Sequence, residues 1–95
     1  MGPAQEAGVI TVTERAKQEL KTILIAAETE PDEGLRLQPT TDGFALTLDA
    51  ELSGDQVVEY EGYKILLIGI EYFRTFDGKT VDCGDTEEGP VLFLR

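Results

Sequence analysis

The side chains able to do chemistry in this chain are nearly all carboxylates. Nineteen Asp and Glu stand beside eight Lys and Arg, no histidine and a single cysteine, Cys83, in 95 residues. Without imidazole there is no Ser-His or Cys-His nucleophile pair. One thiol cannot by itself hold zinc or an iron–sulfur centre, which take several ligands. What remains is oxygen chemistry. The densest acidic run is Asp82, Asp85, Glu87 and Glu88, a donor set that suits Mg²⁺, Ca²⁺ or Mn²⁺ and holds iron weakly. It lacks the alternating ligand spacing of an EF-hand loop. A solvated turn is therefore the simpler reading, and these four residues are no more than weak metal candidates.

The other chemistry-bearing residues have plain structural readings. Cys83 ends a strand-like segment and reads as a small buried hydrophobe; its acidic neighbours Asp82 and Asp85 argue against a reactive thiolate. Asp42-Gly43 and Asp77-Gly78 are turn pairs, because glycine supplies positive φ at little steric cost. Neither a G-x-G-x-x-G nor a Walker loop is present, and no carboxylate pair stands out for hydrolysis. The expectation is no catalytic residue, no cofactor-binding residue and no cofactor: not an enzyme.

Charge narrows the partners. A formal net charge of -11 repels phosphate backbones and anionic lipid, which argues against nucleic acid and membrane surfaces. It serves solubility, or a docking face for a basic protein partner. No apolar run approaches the ~20 residues of a membrane span. The opening Met1-Gly2-Pro3-Ala4-Gln5-Glu6 lacks the regions of a signal peptide, so a cytoplasmic location is expected.

The elements that would position these residues follow from periodicity. Residues 1–8 are small and polar and read as a disordered N-terminus, leaving 9–95 as one domain. Val9 to Val12 reads as a short strand, and Thr13 as a helix N-cap with Glu14 in the first turn. Ala16, Leu20, Ile23, Leu24 and Ala27 form an amphipathic helical stripe, ended by Pro31 and Gly34. The period then becomes two. Leu35 and Leu37 alternate with Arg36 and Gln38 as a half-buried strand, Pro39 to Gly43 is a polar loop, and Phe44, Leu46 and Leu48 mark a second strand. Glu61-Gly62 joins Val57–Tyr60 to Tyr63–Ile68 as a hairpin, with the apolar run Ile65 to Ile68 suited to a strand covered on both faces. Ile70 to Phe76 suggests a helical turn. Lys79 to Cys83 reads as a strand, Gly84 to Gly89 as an acidic loop, and Pro90 to Arg95 as a closing strand. The sum is a single β-rich α+β domain, one N-terminal helix followed by about six short strands. Its core candidates are Leu20, Ile23, Leu24, Leu35, Leu37, Phe44, Leu46, Leu48, Ile65, Leu67, Val81 and Phe93.

This order of segments resembles the HesB/IscA-like family, the A-type iron–sulfur carriers. The resemblance rests on Ile10-Thr11-Val12-Thr13 before a helix, Gly34-Leu35-Arg36-Leu37, and Gly43-Phe44-Ala45-Leu46-Thr47-Leu48. It continues through Gly62-Tyr63-Lys64-Ile65-Leu66-Leu67, Asp77-Gly78-Lys79-Thr80-Val81-Asp82 and Glu88-Gly89 to Phe93, and so covers roughly residues 9–94. It implies a HesB-like fold and ancestry among iron–sulfur cluster assembly factors.

The family's ligands do not carry over. One thiol is expected in the loop that here reads Pro39-Thr40-Thr41-Asp42-Gly43, with Thr41 about where it belongs. A Cys-Gly-Cys-like pair is expected in a tail beyond Arg95. Cys83 aligns with none of the three. The resemblance thus implies a divergent, non-catalytic accessory or interaction module, compatible with a homo-oligomer because family clusters sit between subunits. The alternative is a weak iron or divalent-cation binder using carboxylates, accessory to cluster biogenesis. A carboxylate-based enzyme is a third class with almost no support.

Overall fold

Thr13 caps a 14-residue helix. In the computed structural model, which describes residues 10–95, its hydroxyl accepts from the Ala16 N–H at 3.2 Å, satisfying one of the orphan donors of the first turn. The expectation for residues 1–8 and for Val9 falls outside the described residues. The helix, α1 (Glu14–Ala27), follows the short strand β1 (Ile10–Val12). It ends where Glu28 turns left-handed at φ 56 and donates to Ile25 O.

Six strands follow: β2 (Glu33–Thr40), β3 (Gly43–Ala50), β4 (Gln56–Tyr60), β5 (Tyr63–Ile68), β6 (Lys79–Thr86) and β7 (Gly89–Leu94). A 3₁₀ turn (Ile70–Tyr72) and a single helical turn, α2 (Phe73–Phe76), lie between β5 and β6. The strands form two sheets. One has the order β3-β2-β5-β4, with β2 and β5 parallel and the outer pairs antiparallel. The other has the order β1-β6-β7, with β1 parallel to β6 and β7 antiparallel to it.

The α1 stripe, Ala16, Leu20 and Leu24, packs into a core shared with Val12, Leu35, Leu37, Ile65, Leu66, Ile68, Phe76, Val81 and Cys83. Its apolar face therefore serves both sheets. Burying each such aliphatic side chain contributes about 1.5–3 kcal/mol before the entropy of ordering is charged against it.

Several features depart from the sequence expectations. Ile23, Phe44 and Leu46 pack against the core only partly buried, while Leu48 and Phe93 remain exposed. Leu48 lies on the edge strand β3 and Phe93 on the face of β7 turned from the core, so neither has a covering layer. Ala27, at the end of the helical stripe, is also exposed. The polar loop expected at residues 39–43 shrinks to Thr41-Asp42, because Pro39 and Thr40 remain in β2, paired with Phe44 and Gly43. Likewise β6 runs on to Thr86, leaving Glu87-Glu88 as a two-residue turn rather than a loop from 84 to 89. Hydrogen bonding to a neighbouring strand carries both segments past their weak local propensity.

Arg36 departs most. In place of a half-buried alternation, Gly34, Leu35, Arg36 and Leu37 are all buried, because β2 is a central strand covered on both faces.

Candidate functional site

Arg36 is buried as a whole residue, at 7 % exposure, and the side chain of its partner Asp55 is buried with it. Leu35 and Leu37 face α1, so alternation turns Arg36 to the opposite face of the sheet. Its Nε–H donates to Asp49 Oδ2 at 2.6 Å. Its two terminal nitrogens hold Asp55 as a bidentate pair, at 3.1 and 2.8 Å, and Nη2 also donates to the Ala50 carbonyl at 3.0 Å. Asp55 is further held by the Leu52 N–H at 2.7 Å, and Asp49 by the Ala50 N–H at 2.8 Å.

The topology explains why a guanidinium belongs there. β3 and β4 are opposite edges of one sheet, so residues 51–55 must return past β2 and β5. Arg36, on β2, clamps both ends of that connection. A bidentate guanidinium–carboxylate pair fixes direction as well as distance. The guanidinium beside Asp55 and Asp49 holds both carboxyls below the usual range, helped by the Leu52 and Ala50 N–H groups. These interactions hold the β3–β4 connection to the sheet.

Asp82 is placed in the same manner. Its Oδ1 accepts from the Thr13 hydroxyl and from the Cys83 N–H, each at 2.8 Å. Its Oδ2 pairs with Arg95, at 3.0 Å to Nε and 2.9 Å to Nη2. The Cys83 N–H, then Thr13 and Arg95, lower its pKa from the ordinary carboxylate value. Asp82 thus ties the start of α1 and the end of β7 to β6. Asp85 pairs with Arg15 at the first turn of α1. Glu87 and Glu88 form the exposed β6–β7 turn, where the Glu88 N–H donates to the Thr86 hydroxyl at 3.1 Å. Asp82 and Asp85 are three residues apart on one strand, so they point to opposite faces. The acidic run is therefore not gathered. Among the described residues no group of three or more His, Cys, Asp or Glu could hold a metal ion.

Cys83 lies in β6 with its side chain in the core, at 7 % exposure. It pairs in register with Leu92. The β2–β3 turn, Thr41-Asp42, belongs to the other sheet and presents exposed hydroxyl and carboxylate groups. The structure does not bring a thiol to that turn from within the described residues.

Two strands from a common hairpin, a helix leading into a second sheet and this element order have counterparts among solved structures. SufA of Escherichia coli, described as involved in biosynthesis of iron–sulfur clusters, aligns over 92% of this chain and 84% of its own, with a TM-score of 0.69 and 21% identity. A protein from Aquifex aeolicus aligns over 92% of this chain and 90% of its own, at TM-score 0.62 and 24% identity. The chain has the HesB-like fold. IscA, solved with a [2Fe-2S] cluster, aligns over 90% of this chain and 83% of its own, at TM-score 0.61 and 19% identity. No family model matches the sequence, and no curated protein does. The resemblance to A-type carriers is thus carried by shape. Among the described residues no helix is long and apolar enough to cross a membrane.

The Arg36–Asp49–Asp55 clamp was missed by sequence reasoning. The available signal was a lone arginine inside an apolar strand, with aspartates ending the next strand and the next turn. Alternation alone assigned it to solvent.

Proposed function

We propose that this protein is a HesB-like scaffold that serves iron–sulfur cluster assembly through protein contact, without carrying a cluster on its own thiols and without catalysis. The observation that carries this reading is the state of Cys83: the single thiol of the sequence is packed in the core of β6. Its place is remote in topology from the β2–β3 turn, where the family resemblance expects a ligand. The link to cluster assembly rests on the SufA and IscA folds. The net charge of -11 favours a partner with a basic surface. The carboxylate-cation reading draws no comparable support, since Asp82 and Asp85 are engaged by Thr13, Arg95 and Arg15.

Anaerobic reconstitution with iron and sulfide tests the proposal. After desalting, the protein is expected to keep no stoichiometric iron and sulfide and to show no visible absorption band. Any retained iron is expected to be displaced by excess Mg²⁺. A stable band with matching iron and sulfide would restore the carrier role and overturn the reading.

A further inference from the structure

Two sheet edges border one groove. β1 is an edge strand of its sheet and β4 an edge strand of the other. Between them lies a cleft of about 580 Å³, lined by β1, by Gln56 to Glu59 of β4 and by Lys17 of α1. That volume falls within the about 300–1,000 Å³ of ligand-sized clefts. Val12 belongs to the buried core, and Ile10 and Val58 pack against it, so the inner wall of the groove is apolar.

Both side walls are peptide edges. The Thr13 N–H donates to the Val81 carbonyl at 3.0 Å. Thr11 and Thr13 therefore turn their backbone groups to β6, while Ile10 and Val12 turn theirs to the open side. The two-residue Glu61-Gly62 turn makes Tyr60 and Tyr63 a hydrogen-bonded pair. Alternation along β4 then leaves the backbone groups of Val57 and Glu59 on the open side. No strand pairs either edge among the described residues. Lys17 adds a charge. Its ammonium stands 6.0 Å from the centre of the Tyr60 ring and pairs with no carboxylate among the described residues. Glu14 is engaged instead by the Tyr60 hydroxyl at 2.7 Å. In a chain with nineteen acids, a cation left unpaired beside a groove favours an anionic group on the occupant.

We propose that this groove takes an extended segment of a partner protein, added as a strand between β4 and β1. Backbone groups left open along both walls call for another extended backbone, whereas a helix satisfies its own internally. A second copy of this chain would bring a further net charge of -11 to the groove; a partner with a basic surface does not. The side chains of such a strand alternate between two faces. Toward the inner wall they are apolar, against Val12 and Val58, with one carboxylate beside Lys17. On the other face, to which alternation turns Glu59, the segment carries a cation. The proposal rests on the reading of this protein as one that acts by protein contact, and it gives that contact a place. Main-chain bonds supply the affinity and the alternate side chains the selectivity.

Panning a random heptapeptide library on the intact protein, then amide hydrogen exchange with the enriched peptides, tests this. The enriched peptides are expected to alternate apolar and polar residues, to carry a carboxylate on the apolar face, and to protect the Val12, Val57 and Glu59 amides. Methylating alternate backbone nitrogens of such a peptide is expected to abolish binding. Lys17→Glu is expected to weaken binding by about fivefold, with Arg74→Glu, off the groove, binding as wild type does. Val57→Pro removes one outward N–H and spares the β4–β5 ladder; it is expected to weaken binding by about tenfold with little change in melting temperature. Lys17→Glu carries the test should Val57→Pro not fold. The proposal is overturned if no peptide is enriched, if Lys17→Glu binds as wild type does, or if the Val57 and Glu59 amides stay unprotected. Protection of these two without Val12 overturns the placement between two edges. Protection of all three in the protein alone means that another part of the chain or, where it rises with concentration, a second copy fills the groove, and overturns it equally. A cluster retained on reconstitution removes the earlier reading and leaves the groove; absent peptide binding with no cluster retained removes the groove alone.

Discussion

Replacing Arg36 with methionine removes the guanidinium but keeps most of the stem that lies along the sheet. The carboxylate of Asp55 is left behind with its side chain 2 % exposed, holding only the Leu52 N–H. Removing one partner of a buried ion pair costs about 3–5 kcal/mol, chiefly because the remaining charge has lost its compensation. Asp49 is more exposed, at 44 %, so water screens its share. Against a total stability of about 5–15 kcal/mol, the loss is severe. At about 4–8 °C per kcal/mol for a domain of this size, the melting temperature falls by at least about 12 °C. Urea unfolding followed by circular dichroism at neutral pH measures it. The double variant Arg36→Met with Asp55→Leu removes both charges and is expected to recover much of the loss.

The sign of the pH dependence follows from the lowered carboxyls. Asp55 and Asp49 bind protons less readily folded than unfolded. Their contribution is present above the unfolded value of about 3.9, and it is lost as pH falls through the lower folded values. In Arg36→Met the lone Asp55 is instead pushed up by burial, so acidification narrows the gap to wild type. A loss below about 1 kcal/mol at neutral pH, or a double variant as unstable as the single, would refute the clamp.

Two further substitutions probe the packing. A Cβ on Gly34 would stand 2.3 Å from the Lys64 carbonyl oxygen, so Gly34→Ala must push β2 from β5; the expected loss is about 3 kcal/mol in urea unfolding, with a smaller one refuting the close approach. Cys83→Ser buries a hydroxyl in an apolar site and is expected to lower stability by about 1–2 kcal/mol. Native Cys83 should also react with a thiol reagent far more slowly than the unfolded chain, and equal rates would contradict its burial.

How much was legible in the sequence differs by element. The Thr13 cap, the α1 stripe and the Glu61-Gly62 hairpin were readable because each depends on neighbours within a few residues. At Glu61-Gly62 the structure shows φ 52 and 88, the left-handed pair that a two-residue hairpin favours. The segments on either side of Thr41-Asp42 and Glu87-Glu88 were read as loops, since their composition is polar and only a partner strand makes them extended. Leu48 and Phe93 fit the alternation, and their exposure depends on where each sheet ends.

Composition and local pattern determined which reactive side chains this sequence offers and which elements form. No histidine and one thiol exclude most site chemistry before any fold is known, because a missing side chain cannot be supplied by packing. Periodicity placed one helix and six following strands, because burial of a face repeats at the period of the element. Strand order, by contrast, was decided only in three dimensions. It is the order β3-β2-β5-β4 that makes β2 central, buries Arg36, and calls Asp49 and Asp55 to it across 13 and 19 residues of chain. The same order leaves β3 at an open edge. Which strand becomes an edge depends on contacts far apart in sequence, and no local periodicity encodes them.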